Sequence, residues 1–261
     1  MLTSGIKFLN FKEKKNSLVV KKKLKLLLQN KDAVILSLSK NYNNSFDKKN
    51  IKRYRKSSNF RIIGMGGSTL GSQAIYDFLN HKIKKNFTFI DNLDANKKKQ
   101  KEKKYTNIIV SKSGNTVETI ANSNILIKKK EKNIFITENN NSYLFQLAHK
   151  LKAEIIHHNN FIGGRYSVLS EVGMLPAELM GLNSNNFKQL DNIIKNKKFL
   201  NSLISNISAT LYYINKKKFN SIIINYDEKS KNLFNWYQQL IAESLGKKSK
   251  GLLPIISSMP K

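Results

Sequence analysis

Five short apolar runs recur along the middle of the chain, at Arg61-Ile62-Ile63, Thr88-Phe89-Ile90, Asn107-Ile108-Ile109-Val110, Asn133-Ile134-Phe135-Ile136 and Glu154-Ile155-Ile156-His157. Runs this short and this rich in β-branched residues suit strands buried on both faces. Helical patterns fall between them, at Ser72–Leu79, Thr116–Lys128 and Ser142–Leu151. The alternation predicts an α/β fold in three layers, a five-strand parallel sheet flanked by helices.

The same reading divides the chain. Residues 1–50 hold the helical candidate Ser17–Leu28 and an Asn-rich approach, read as N-terminal helices and linker. Residues 51–185 hold the five strands. Residues 186–261 begin with helical stretches at Phe187–Leu203 and Leu203–Ile214. One further strand, Ser221–Tyr226, and a helix, Leu233–Leu245, then start a second α/β unit that one strand cannot complete.

Chemistry concentrates where the third strand ends. Val110-Ser111-Lys112-Ser113-Gly114-Asn115-Thr116-Val117-Glu118-Thr119 crowds four hydroxyl side chains and a lysine where an apolar strand gives way to a helix. A dianionic phosphate there would gain free backbone N–H groups, hydroxyl donors and the Lys112 charge. Taken alone, the segment reads equally well as a loop that caps its own helix. A second loop, Gly64-Met65-Gly66-Gly67-Ser68-Thr69-Leu70-Gly71, follows the first strand, and clustered glycines let backbone approach a ligand closely. It is not a dinucleotide fingerprint, which needs glycine where Thr69 stands, nor a Walker loop, because Gly71-Ser72 replaces Gly-Lys-Ser/Thr.

Composition removes other chemistries. No cysteine is present among 261 residues, which excludes disulfides, thiolate nucleophiles and cysteine-ligated zinc. No apolar run is long enough to span a bilayer, and Met1–Ser17 lacks the hydrophobic segment of a signal peptide, so a cytoplasmic location and no membrane partner are expected. The formal charge of +30 raises nucleic acid as a partner. However, the lysines recur along nearly the whole chain, as in Lys14-Lys15, Lys97-Lys98-Lys99 and Lys216-Lys217-Lys218, without interleaved stacking aromatics. No specific nucleic-acid partner is expected; the positive potential would instead draw in anionic metabolites.

Four motifs then fall in order and rough spacing: Gly64-Met65-Gly66-Gly67-Ser68, Ser111-Lys112-Ser113-Gly114-Asn115-Thr116, Gly163-Gly164-Arg165-Tyr166-Ser167-Val168-Leu169-Ser170 and Glu243-Ser244-Leu245-Gly246-Lys247. The chain resembles the glucose-6-phosphate isomerases, in their bacterial form, from about Phe60 onward. The resemblance implies flavodoxin-like sugar-isomerase (SIS) domains, a first one over 51–185 and the start of a second over 186–261, with a hexose phosphate held between two of them. It implies that Gly67, Ser68, Ser111, Lys112, Ser113, Gly114, Asn115 and Thr116 hold the phosphate and nearby hydroxyls. Asn115 stands where a hydroxyl residue is common, which leaves one hydrogen bond of that set in question.

Read alone, Arg165 is a solvated loop arginine and Glu243 a surface glutamate on a partly apolar helix. The resemblance makes Arg165 the cation that stabilises the enediolate, Glu243 the base that moves the proton, and Gln239, one turn earlier on the same helical face, a substrate contact. Tyr166-Ser167-Val168 reads as strand-like, with Tyr166 and Val168 packing. No metal or organic cofactor is required, and a homodimer is expected of the full-length protein. The family's ring-opening histidine and lysine lie beyond the matched motifs, and the chain stops at Lys261, so a fragment or a truncated gene is expected. The competing class is a catalytically inactive sugar-phosphate-binding SIS protein, which would need the phosphate loop but neither Arg165 nor Glu243.

Overall fold

The computed structural model describes residues 17–30, 32–93, 104–247 and 250–258. The readings placed on residues 1–16, on Lys97-Lys98-Lys99 and on Lys261 lie outside the described residues. The N-terminal segment contributes α1 (Leu18–Gln29), α2 (Ala33–Ser37) and α3 (Lys48–Ile51). Ser17 caps α1 by accepting the Val20 N–H at 3.3 Å, and its own N–H reaches Ser208 Oγ at 3.3 Å.

The central unit alternates β1 (Asn59–Gly64), α4 (Leu70–Phe78), β2 (Asn86–Ile90), β3 (Thr106–Val110), α5 (Val117–Leu126), β4 (Lys132–Thr137), α6 (Tyr143–Leu151) and β5 (Glu154–His157). All strand pairs are parallel, in the order β2-β1-β3-β4-β5. Strand periodicity sends Ile62, Ile108, Ile134 and Ile136 to one face, packed with α7 (Glu171–Leu179), and Ile63, Ile109 and Phe135 to the other, with Leu144 and Ala148 of α6. The three layers follow from that two-sided burial. This is the sheet the apolar runs predict, with each strand within two residues of its expected bounds.

Every residue of α7 is buried, and Pro176 sits inside it. Proline cannot donate to the carbonyl of Val172 four positions earlier, and Ser72 Oγ lies 3.5 Å from that oxygen. Tyr166-Ser167-Val168 is not strand: Gly164–Leu169 forms a 3₁₀ turn, closed by Ser167 Oγ donating to the Gly164 carbonyl at 2.7 Å.

Beyond α7 the helical reading needs redrawing. A short α8 (Leu190–Ile193) stops before Asn196, whose side chain caps α9 (Lys197–Asn215) by accepting the Phe199 N–H at 3.1 Å. Leu203 is therefore inside one continuous helix, not at a junction. β6 (Asn220–Asn225), α10 (Lys231–Leu245) and β7 (Leu253–Ser258) complete the described chain. The expectation of one strand after residue 200 is corrected, because β7 pairs in parallel with β6 to make a second, two-stranded sheet.

Candidate active site

The strand order turns back on itself at β1 and β3. From β1 the chain runs outward to β2, then returns to the other side of β1 to lay down β3. Ligands of open α/β sheets bind at the carboxyl ends of strands flanking such a switch point, because the loops there diverge and leave a crevice. Gly64 pairs with Val110 across it, so the glycine loop and the hydroxyl-rich loop emerge side by side.

Within the second loop, Ser111 Oγ and Thr116 Oγ1 lie 2.9 Å apart, and Ser113 Oγ accepts the Asn115 N–H at 3.2 Å. Thr116 is the N-terminal cap residue of α5 but makes no side-chain capping bond, which leaves its hydroxyl with Ser111 rather than with the helix. Asn115 faces away: its Oδ1 accepts the Tyr143 N–H at 3.0 Å and thereby caps α6. The Gly114 carbonyl accepts the Leu144 N–H at 3.0 Å, a second tie to α6. Lys112 Nζ donates to the Asn160 carbonyl at 2.7 Å and stands 3.5 Å from Glu138 Oε1.

The glycine loop explains how the remaining groups reach this place. A Cβ on Gly67 would stand 2.5 Å from the Gly164 carbonyl carbon and 2.6 Å from the Arg165 nitrogen, and one on Gly66 would meet Gln239 Nε2 at 2.7 Å. Only bare backbone allows three chain segments to meet so closely. Ser68 follows in the same 3₁₀ turn, Gly66–Ser68.

Helix α10 packs against α4 and carries Gln239 and Glu243 to that junction. Glu243 Oε2 lies 3.3 Å from Arg165 Nη1, and Glu243 Oε1 accepts from Gln239 Nε2 at 2.8 Å. Among the described residues, the buried Gln239 Oε1 has no partner. Ser244 Oγ accepts from Arg165 Nε at 2.9 Å and lies 2.6 Å from the Tyr166 hydroxyl, while Trp236 Nε1 donates to the Arg165 carbonyl at 3.3 Å. The neighbouring Tyr166 hydroxyl first, and the Glu243 carboxylate after it, hold the Arg165 guanidinium more firmly protonated than usual. The Ser244 hydrogen bond, helped by Arg165 and Lys247, draws the Tyr166 phenol below its ordinary range.

One expectation changes in kind here. Tyr166 packs on Arg165, the guanidinium carbon 4.8 Å from its ring centroid, but its hydroxyl also joins the polar cluster. Ser244 is a contact that sequence reasoning missed, although its place next to Glu243 in the quoted motif was the available signal. Two cavities, about 260 Å³ beside Arg53 and Glu154 and about 250 Å³ beside Arg55 and Lys85, lie at the amino ends of the strands, away from these loops. No three His, Cys, Asp or Glu side chains gather as a metal cluster among the described residues. No described helix is long and apolar enough to cross a membrane.

Comparison with known proteins decides the family. The phosphoglucose isomerase family model matches residues 37–252. The chain belongs to the phosphoglucose isomerase family. Its relatives include the glucose-6-phosphate isomerase of Methanocaldococcus jannaschii, 35% identical over 228 residues, covering 80% of this chain and 56% of the relative. That of Campylobacter jejuni is 32% identical over 224 residues, covering 78% and 54%. The chain thus spans about half the length of the curated phosphoglucose isomerases it matches. Among solved structures, a hypothetical protein of Thermus thermophilus aligns with a TM-score of 0.73 at 21% identity, over 93% of this chain and 65% of that one. Tagatose-6-phosphate ketose/aldose isomerase of Escherichia coli aligns with a TM-score of 0.55 at 16% identity, over 81% and 60%. At those identities the likeness shows the fold, which is the SIS-type α/β sheet of phosphosugar isomerases.

Proposed function

We propose that the chain supplies the phosphate grip and the proton-transfer groups of a glucose-6-phosphate isomerase, interconverting glucose 6-phosphate and fructose 6-phosphate. The observation that carries this reading is the meeting of Arg165, Gln239 and Glu243 at the glycine loop after β1, which emerges beside the hydroxyl-rich loop after β3. Ser111, Ser113, Thr116 and the start of α5 would bind the phosphate, with Lys112 adding charge and Gly67 and Ser68 lining the approach.

In the open-chain sugar, the Glu243 carboxylate would take the C2 proton. The C2–H electron pair becomes the C1–C2 double bond, and the carbonyl pair moves onto O1, where Arg165 faces the developing charge. O1 takes up a proton as O2 gives one up, so the two oxygens exchange a proton with no net change, and return of the Glu243 proton to C1 leaves the carbonyl at C2. The sugar keeps its oxidation state overall, so the step calls for no redox cofactor.

The division into 1–50, 51–185 and 186–261 belongs to the same proposal, supported by a five-stranded sheet within the middle span and a second sheet in the last. A homodimer and a cytoplasmic location are carried with it, on the family likeness. The test is exchange of the fructose 6-phosphate C1 proton and the glucose 6-phosphate C2 proton with deuterated water, followed by NMR. Exchange catalysed by the wild-type chain and lost on Glu243→Gln supports the enzyme; phosphosugar binding without exchange supports the inactive binding protein.

A further inference from the structure

Glu171 is an acid buried where the reaction proposed above does not use it. It is fully buried at the first position of α7, where the helix N-terminus favours an anion. Its Oε1 accepts the Asn159 N–H at 2.7 Å and its Oε2 accepts the Tyr42 hydroxyl at 3.0 Å. The Tyr42 oxygen in turn accepts from Asn159 Nδ2 at 3.3 Å. Lys188, also buried, donates to the Tyr42 carbonyl at 3.0 Å and to Asn44 Oδ1 at 3.3 Å. A closed polar network therefore ties the N-terminal segment, α7 and the chain leaving β5 to one residue, Asn159.

The next residue gives that network a functional address. The Asn160 carbonyl accepts from Lys112 Nζ, the only cation of the hydroxyl-rich loop. Asn159 itself is folded into a turn, its Oδ1 accepting the Phe161 N–H at 2.9 Å and its carbonyl the Ile162 N–H at 3.1 Å, so the direction of the Asn160 carbonyl is fixed. Lys112 is thereby divided between that carbonyl and Glu138, at 2.7 and 3.5 Å. Without the carbonyl, Glu138 would be left as the sole partner and the ammonium would close onto it, neutralising the loop's charge.

We propose that Glu171 is a positioning residue for phosphosugar binding: by pinning the Asn159 turn, it keeps Lys112 from collapsing onto Glu138. This rests on the phosphate-binding reading of the Ser111–Thr116 loop. Gln at position 171 keeps the size but removes the charge and one of the two acceptor oxygens, so the Asn159 N–H and the Tyr42 O–H can no longer donate to separate anionic oxygens. The experiment is calorimetric titration with fructose 6-phosphate of the wild type, Glu171→Gln, Lys112→Met and the double variant. Glu171→Gln should bind about tenfold more weakly than wild type, as expected for losing a hydrogen bond to a charged group. In the Lys112→Met background the same change should alter affinity by less than about twofold.

Equal binding by wild type and Glu171→Gln overturns the inference while leaving the phosphate site intact. An equal loss with and without Lys112 also overturns it, since that marks a general loss of structure. Failure of the wild type to prefer fructose 6-phosphate over fructose removes the phosphate reading and this inference together. Tyr42→Phe, which deletes a hydroxyl and little volume, makes the same test if Glu171→Gln does not fold, with a smaller loss that again disappears without Lys112.

Discussion

Arg165 and Glu243, 78 positions apart in the chain, face each other at 3.3 Å across the seam between the five-stranded sheet and α10. The cation comes from the turn that follows β5 and the carboxylate from a helix flanked by β6 and β7. At this distance the guanidinium faces one carboxylate oxygen while Gln239 Nε2 donates to the other at 2.8 Å.

Replacing Glu243 with Gln keeps size and polarity but removes the proton acceptor. Solvent exchange of the substrate proton should fall about 100- to 10,000-fold. Affinity for fructose 6-phosphate, read by calorimetry, should change by only a small factor. Wild-type exchange rates in Glu243→Gln would sink the assignment of the base.

The hydroxyl loop should distinguish fructose 6-phosphate from fructose. Changing Ser111, Ser113 and Thr116 together to Ala should erase that difference in thermal stabilisation, since each bond to a charged group contributes about 1.5–3 kcal/mol. Undiminished stabilisation of the triple variant by the phosphosugar would place the ligand elsewhere.

Gly67→Ala should cost stability, because the new methyl meets the backbone of Gly164 and Arg165 at about van der Waals overlap and neither is a flexible chain end. A loss of about 1–3 kcal/mol in urea unfolding is expected. Phosphosugar affinity should drop with it, as the Arg165 turn is pushed from the loop. Unchanged unfolding and affinity would show that the two segments do not touch as described.

Burial pushes the Lys188 ammonium down to about 8 from an ordinary 10.5. Between those two values the unfolded chain holds more protons on this residue than the folded one, so its contribution to stability rises with pH across that window. The gain is at most about 3 kcal/mol. Lys188→Met should flatten the rise in urea midpoint between these pH values; an unchanged slope would mean that Lys188 does not titrate there.

What the sequence disclosed follows from how locally each feature is determined. Strands β1 to β5 were legible because Ile-rich runs are buried on both faces, and Ser111–Thr116 because its hydroxyls crowd one loop. α7 was not, since it is buried all round, its two glutamates included, and interrupted by Gly173 and Pro176, which hides the helical period that partial burial would reveal. β7 was missed because Pro254 breaks its pattern; with β6 on one side only, a strand that lacks one N–H is tolerated. Tyr166-Ser167-Val168 has strand-like residues, but the turn closed by Ser167 prevails. The partners that settle Lys112 and Asn115, namely the Asn160 carbonyl with Glu138 and the Tyr143 N–H at the start of α6, depend on tertiary placement that no local pattern encodes.

The chain has a single tryptophan, and Trp236 donates to the Arg165 carbonyl from the seam-side helix. Its emission is thus a gauge of whether α10 is seated on the Gly-Gly-Arg turn. Separation of the two sheets would wet the indole and shift its fluorescence to the red, while the hydroxyl loop on the other sheet stayed assembled. The seating of α10 can in this way be watched in one cuvette: a phosphosugar that binds without moving the emission leaves α10 on the turn, and one that reddens it has loosened that contact.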